Sequence, residues 1–425
     1  MKGRTLRLIH GFGPGILFAS TAIGVSHLVQ STRAGADFGY GLLWAIIAAN
    51  FFKYPFFEYG SRYACCTGKS IIRGYREMNV FLFILYILIM LFSMFFVAAA
   101  VGAVTAGFVV QLFGLNDLFG VQTGIIVCAL LFIICGVLLW LGKYSSLDKG
   151  IKVLGAFLLV STLVAFALVL LKPPVSSSLY DQMFFFPRNN EQWFFLLALM
   201  GWMPTAVDLS AWNSLWTIEK HKTIHQKPSL KATLFDFRFG YLISSLLALC
   251  FLTLGAKLLY DSGTKIPDNA SHFAAEIVNL YSSVIGQWSE VVIGIAACSI
   301  MLGTCIAVVD GYARSVEEVL VVSGQPTQPK RQAYKLGLGI TIIGAFAIVL
   351  VLSKSLKSLV DIATCISFLF APIIAISNYL LVTSKALKKE EQPGLALRIW
   401  SVTGIIFLSA FSLIFMYVRF VKEML

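Results

Sequence analysis

Five ionisable side chains fall inside long apolar stretches of the chain: His27, Lys53, Glu58, Asp208 and Glu290. A charge in hydrocarbon is costly, so such residues face a protein interior, pair with one another or mark a site. Asp208 follows Thr205 by three residues and Pro204 by four, so a helix would place all three on one face, pointing into a common cavity. His27 directly follows Gly24-Val25-Ser26, and Met203 directly precedes Pro204. An imidazole and a thioether form a soft pair suited to copper(I) or a borderline metal, which makes His27 and Met203 the candidate metal ligands. Asp208 suits a different guest, a cationic or zwitterionic organic molecule, with Trp202 and Trp212 offering cation–π contacts. Plainer roles exist for each. Asp208 can cap the second half of its helix or meet a lysine, and His27 can bond a freed carbonyl. Lys53 and Glu58 lie five apart, need not meet, and read as scaffold charges that pair with other helices.

Other chemistry finds little support. His221 and His225 have i,i+4 spacing, but they fall in a lysine-rich loop and read as solvated. Asn269-Ala270-Ser271 matches a common three-residue glycosylation pattern. The eight cysteines lack CxxC spacing and read as small packing residues rather than disulfides or a zinc site. There is no nucleophile–base–orienter set, phosphate loop or catalytic carboxylate pair, so neither an enzyme nor an ATP-driven pump is expected, and no cofactor.

The elements that must position these residues are membrane helices. Of 425 residues, 58% are hydrophobic and only 13% charged, against about 25% charged in an ordinary soluble domain. Roughly 20 apolar residues cross the hydrocarbon core. That criterion predicts about eleven spans, near 12–34, 39–63, 79–112, 122–142, 150–172, 191–216, 237–260, 285–312, 335–353, 357–383 and 398–420. They form one all-α transmembrane domain over 1–425. Lys2, Arg4 and Arg7 precede a stretch too long for a signal peptide. Inner loops hold Arg62, Lys69, Arg73 and Arg76, then Lys220, Lys222, Lys227 and Lys231, then Lys385, Lys388 and Lys389. Asp117 sits in a charge-poor outer loop. This asymmetry predicts a cytoplasmic N-terminus and an external C-terminus. The net charge of +12 is then matched to anionic lipid, not nucleic acid. The short loops fit a bacterial inner membrane.

Two spans are interrupted at membrane depth, the first at Gly24-Val25-Ser26 and the sixth at Gly201-Trp202-Met203-Pro204. Eleven spans fit two repeats of five, about 12–172 and 191–383, with an extra helix at 398–420. Paired interruptions in such halves point to a central binding site. Gly24, Ser26, His27, Met200, Met203, Thr205 and Asp208 are the expected substrate-binding residues. A transported solute or metal ion, the lipid bilayer and a coupling ion are the expected partners.

Several motifs sharpen this reading. Gly13-Pro14-Gly15, the run Ala34-Gly35-Ala36-Asp37-Phe38-Gly39-Tyr40, Leu42-Leu43-Trp44, Ala49-Asn50 and Thr67-Gly68-Lys69 resemble the first two helices of the Nramp family of divalent-metal transporters. Met203-Pro204 resembles the start of that family's sixth-helix MPH motif, and Asp310-Gly311 an acidic-Gly pair in its eighth helix. The resemblance implies a LeuT-type fold with an inverted five-plus-five repeat, unwound helices one and six, and secondary transport of a divalent metal cation by alternating access. It also locates departures. The family's DPGN metal motif falls on Gly24, Val25, Ser26 and His27, its MPH histidine on Thr205, and its proton-carrying residues on Phe96, Ala99 and Ser210. The expected protein is therefore a transporter with a remodelled site and without the family's proton route. A carrier of organic cations or amino acids on this scaffold, and a non-transporting receptor, are the alternatives.

Overall fold

The computed structural model describes residues 14–421 except for 116–117, 119–121, 143, 181–182, 224–227, 263–266, 325–329 and 353–354. Lys2, Arg4, Arg7, Gly13, Asp117, His225 and Lys227 lie outside the described residues. The first span consists of α1 (Pro14–Ala22), a π-helical turn (Ser26–Ser31) and α2 (Thr32–Phe38). Spans two to five are α3 (Leu43–Thr67), α5 (Val80–Leu112), α6 (Thr123–Leu141) and α7 (Tyr144–Leu171), with a short α4 (Ile71–Met78) after α3. The sixth span is cut into α8 (Asn190–Gly201), a tight 3₁₀ turn (Val207–Leu209) and α9 (Ser210–Thr223). Spans seven to eleven are α10 (Leu230–Leu259), α12 (Glu290–Val322), α13 (Lys330–Leu352), α14 (Leu356–Thr383) and α15 (Leu395–Met416), with α11 (Ala270–Ile285) in the loop before α12.

Among the described residues, seven helices are individually long and apolar enough to cross a membrane. Spans one and six fall short because each is broken. α3 falls short because it carries Lys53, Glu58 and Arg62, and α7 contributes only the shorter apolar stretch Ala156–Leu171. Helix starts follow local chemistry: the side chains of Ser70, Asn79, Asn189, Ser229, Asn269 and Ser355 each accept a backbone N–H of the first turn. Asn269, singled out as a glycosylation match, thus caps α11. α3 and α6 end on Gly68 and Gly142, whose positive φ a side chain would disfavour.

The packing carries the expected internal repeat. The first span lies along α10, the seventh, while the second half of the sixth lies along α3, the second. Exchanging each span with its counterpart five places away, one with six and two with seven, converts one contact into the other. The same operation relates α5 on α6 to α12 on α13, and α5 on α14 to α12 on α7. Five is odd, so the second repeat starts on the opposite side of the membrane and is inverted relative to the first. Phe81, Phe92, Ile133, Ile343 and Leu413 project outward, as a lipid-facing rim requires.

Glycines bring backbones together at several seams, among them α2 on α10 and α8 on α14. A Cβ on Gly35 of α2 would lie 2.1 Å from the Leu252 carbonyl oxygen of α10, and one on Gly255 of α10 would lie 2.3 Å from that of Thr32. A Cβ on Gly201 would lie 2.0 Å from the Thr364 carbonyl of α14. Without a hydrophobic drive between helices in lipid, such close approach supplies the van der Waals contact that holds them.

Candidate functional site

The break in span six leaves carbonyls without helical partners. Pro204 has no N–H to give, α8 ends at Gly201, and the Met203–Pro204 peptide is cis. Buried carbonyls must be paired. Lys53 of α3 supplies most of the pairing: its Nζ donates to the carbonyl oxygens of Met200 at 2.5 Å, Gly201 at 2.7 Å and Thr205 at 3.3 Å. The Ser26 hydroxyl, from span one, lies 3.2 Å from the Pro204 carbonyl. Lys53 is 0% exposed. Lys53 therefore belongs to the centre of the molecule, where the sequence suggested a scaffold charge. The readable signal was a lone lysine in mid-span.

The break in span one is shallower than expected. The Gly24 carbonyl accepts from the backbone N–H of His27 at 3.1 Å and of Leu28 at 3.0 Å, so the chain resumes helical pairing within one turn. Gly24 was expected to offer that oxygen to a substrate, and local pairing takes it up instead. The need for glycine is steric: a Cβ there would lie 2.9 Å from Thr304 Cγ2 of α12.

His27 and Met203 turn to different partners. His27 Nε2 donates to the Ser244 carbonyl of α10 at 2.8 Å, which leaves Nδ1 to accept from the Ser26 hydroxyl at 2.7 Å in the neutral ring. Both ring nitrogens are thus engaged and the side chain is fully buried. The Met203 sulfur instead receives the Ser31 hydroxyl at 3.7 Å. The anticipated His27–Met203 ligand pair is not assembled in this conformation, because the imidazole points toward α10 while the sulfur faces the far end of the π-helical turn. Among the described residues, no group of three or more His, Cys, Asp or Glu side chains is placed to hold a metal. Ser26 is the shared element: one hydroxyl proton faces Nδ1 of His27, the Ala22 carbonyl at 2.6 Å and the Pro204 carbonyl.

Asp208 accepts from the Ser93 hydroxyl of α5 at 2.9 Å, and Tyr312 of α12 reaches the same Ser93 at 3.4 Å. The one-face reading of Pro204, Thr205 and Asp208 assumed a continuous helix. Residues 202–206 are not helical and 207–209 form a tight turn, so that periodicity does not apply. Asp208 lies just ahead of α9, where the helix dipole favours a carboxylate. Trp202 donates to Ser367 at 2.9 Å. Trp212 packs edge-on against Tyr312, with ring centroids 4.7 Å apart, and a Cβ on Gly311 would lie 2.5 Å from its ring. The two tryptophans are committed to packing and hydrogen bonding rather than to a cation. Ser210 accepts from Asn378 at 2.9 Å, and Asn378 also accepts from Tyr75. Away from the breaks, Glu58 pairs with Arg62 at 2.6 Å and Arg238 at 3.3 Å. Glu290 is exposed at the first turn of α12, at the end of its span rather than in the middle.

One small cavity lies between the broken spans, α5 and α12. Its volume is about 20 Å³, and Thr21, Ser26, Thr205 and Thr304 line it with Val97, Trp202 and other apolar groups. That is room for one ion or one to two waters. Its oxygen donors are neutral, and no carboxylate is among the residues that line it.

Comparison with known proteins agrees with this geometry. Residues 15–418 match the family model described as natural resistance-associated macrophage protein-like. An uncharacterised protein of Pasteurella multocida is 33% identical over 410 residues, covering 95% of this chain and 91% of the relative. Among solved structures, a point variant of the Eremococcus coleocola manganese transporter superposes with a TM-score of 0.70 at 14% identity, over 96% of this chain and 86% of that one. The same transporter in complex with an aromatic bis-isothiourea substituted compound gives 0.69, also at 14% identity, over 97% and 86%. MhsT in complex with L-phenylalanine gives 0.61 at 14% identity, over 96% and 98%. At these identities the likeness is one of fold, the LeuT-type arrangement of two broken spans within an inverted repeat.

Proposed function

The chain belongs to the natural resistance-associated macrophage protein-like family, and from that premise we propose that it is a secondary transporter carrying a divalent metal cation by alternating access around spans one and six. The supporting observation is the ion-sized, hydroxyl-lined cavity held between the two breaks. A cavity of about 20 Å³ admits one ion or one to two waters, so this conformation suits a single-ion cargo. The solved relative named as a manganese transporter agrees with this cargo class.

The donor set departs from a strong metal site. Hard divalent cations are normally gathered by carboxylates, whereas here Ser26, Thr205 and the Met203 thioether stand nearest the breaks. We therefore assign low affinity, with Met203 the residue that discriminates between ions and Asp208 the nearby negative charge. Phe96, Ala99 and Ser210 carry no titratable group, so transport proceeds without the proton route that the family resemblance implied. We further assign the whole chain to one transport domain in a bacterial inner membrane, N-terminus inside and C-terminus outside. Reporter fusions at each terminus test that orientation.

The decisive experiment is flux. Protein reconstituted in liposomes should admit manganese or magnesium down an imposed gradient, with a rate insensitive to a pH gradient. Absence of any divalent flux at millimolar concentration, together with accumulation of an amino acid or amine, would overturn the assignment.

A further inference from the structure

Lys53 occupies the position that a free cation would take in a broken transporter helix. Two of its three carbonyl partners, Met200 and Gly201, end α8, where the helix dipole gathers negative potential; the third, Thr205, lies across the break. The Phe368 ring of α14 faces the ammonium at 5.9 Å from its centroid. Terminal carbonyls of a half-helix plus unwound backbone are the groups with which inverted-repeat transporters coordinate a monovalent cation. Rings of carbonyls likewise replace the hydration shell of potassium. A primary ammonium carries the same charge, at contact distances like those observed. Among the described residues no carboxylate forms an ion pair with Lys53. The carbonyl dipoles are its direct counter-charge, with Asp208 acting on it through space.

We infer that Lys53 is a tethered cation: its ammonium fills a backbone cation site in the break of span six and holds that break without a dissociable ion. The role needs positive charge, not merely N–H donors, and this separates it from a hydrogen-bond filler. It does not depend on which cargo is carried. Any cation that reaches the Met200 carbonyl must compete with Nζ, so the site carries a built-in competitor.

The test uses the full-length protein in detergent, with thermal unfolding of wild type, Lys53→Ala and Lys53→Gln in sodium, potassium, methylammonium and tetramethylammonium chloride at one ionic strength. Wild type should unfold at the same temperature in all four. Both variants should unfold earlier, and Lys53→Ala should regain several degrees, saturably, with methylammonium or a small alkali cation but not with the bulky tetramethylammonium. If Lys53→Ala is lost in ordinary buffers, recovery when it is produced and purified in methylammonium, and not in tetramethylammonium, supports the inference. The inference is overturned if Lys53→Ala responds to no cation beyond the response of wild type, or if Lys53→Gln matches wild type. It is equally overturned if neither variant is recovered in any salt.

Discussion

Arg33 of α2 and Asp361 of α14 form a two-pronged ion pair, Nη1 to Oδ1 at 2.6 Å and Nη2 to Oδ2 at 3.0 Å. Gln30 joins both partners, donating to Asp361 at 2.8 Å and accepting from Arg33 at 3.1 Å, and Arg33 lies over the Phe195 ring of α8 at 4.8 Å. Both charged side chains are at most one-tenth exposed. The cluster joins the second half of span one and the first half of span six to α14.

Removing either charge leaves the other buried and unpaired. Arg33→Ala and Asp361→Ala should each cost about 3–5 kcal/mol, while the double variant should cost less than the sum. A double-mutant cycle on unfolding of the solubilised protein reads the coupling. Additive losses would show that the pair contributes nothing as a pair.

Met203→Ala should weaken divalent binding by ~10–100-fold, the loss typical of disturbed metal environments. Because Met203 is fully buried in the core, the substitution should also cost about 2–5 kcal/mol of stability, so binding is read on the folded fraction. Isothermal titration with manganese against magnesium measures it. Equal loss for both ions would remove Met203 from the role of discriminator.

His27→Ala should act on stability rather than on cargo. It removes the ring's bonds to the Ser244 carbonyl and the Ser26 hydroxyl, the latter keeping the Ala22 and Pro204 carbonyls, and empties a fully buried position, at about 1–3 kcal/mol. Surviving protein should keep its manganese KM. A raised KM with unchanged unfolding would return His27 to the cargo site.

Gly24→Ala should cost about 1–3 kcal/mol through crowding against α12. Adding Thr304→Ser removes Cγ2, the atom that the new methyl meets at 2.9 Å, and should restore part of the loss. No recovery in the double variant would point to the backbone bend, not the methyl contact, as the reason for glycine.

The spans and both breaks were legible because hydropathy and a mid-span proline record them in side chains. The depth of each break was not. The π-helical turn after Gly24 depends on which N–H meets which carbonyl, and Ser-His-Leu-Val-Gln-Ser carries no mark of that choice. Lys53 was visible as a mid-span charge, but its partners are backbone oxygens, which have no sequence identity to match. Asp208 was misplaced for a related reason: its spacing from Thr205 has meaning only along an unbroken helix. Arg33 and Asp361 lie more than 300 residues apart in sequence, near span ends, where charges are common and a pairing cannot be guessed.

The glycine contacts between α2 and α10 have a mechanical consequence. Backbone meets backbone at Gly35 and Gly255, leaving no flexible side chain between the helices to absorb sliding. The opposite edge of α2 is fastened to α14 by the Arg33–Asp361 ion pair. The second half of span one thus has one backbone seam and one charged seam, and under the proposed alternating access α2 and α10 would move together as a single lever hinged at the π-helical turn.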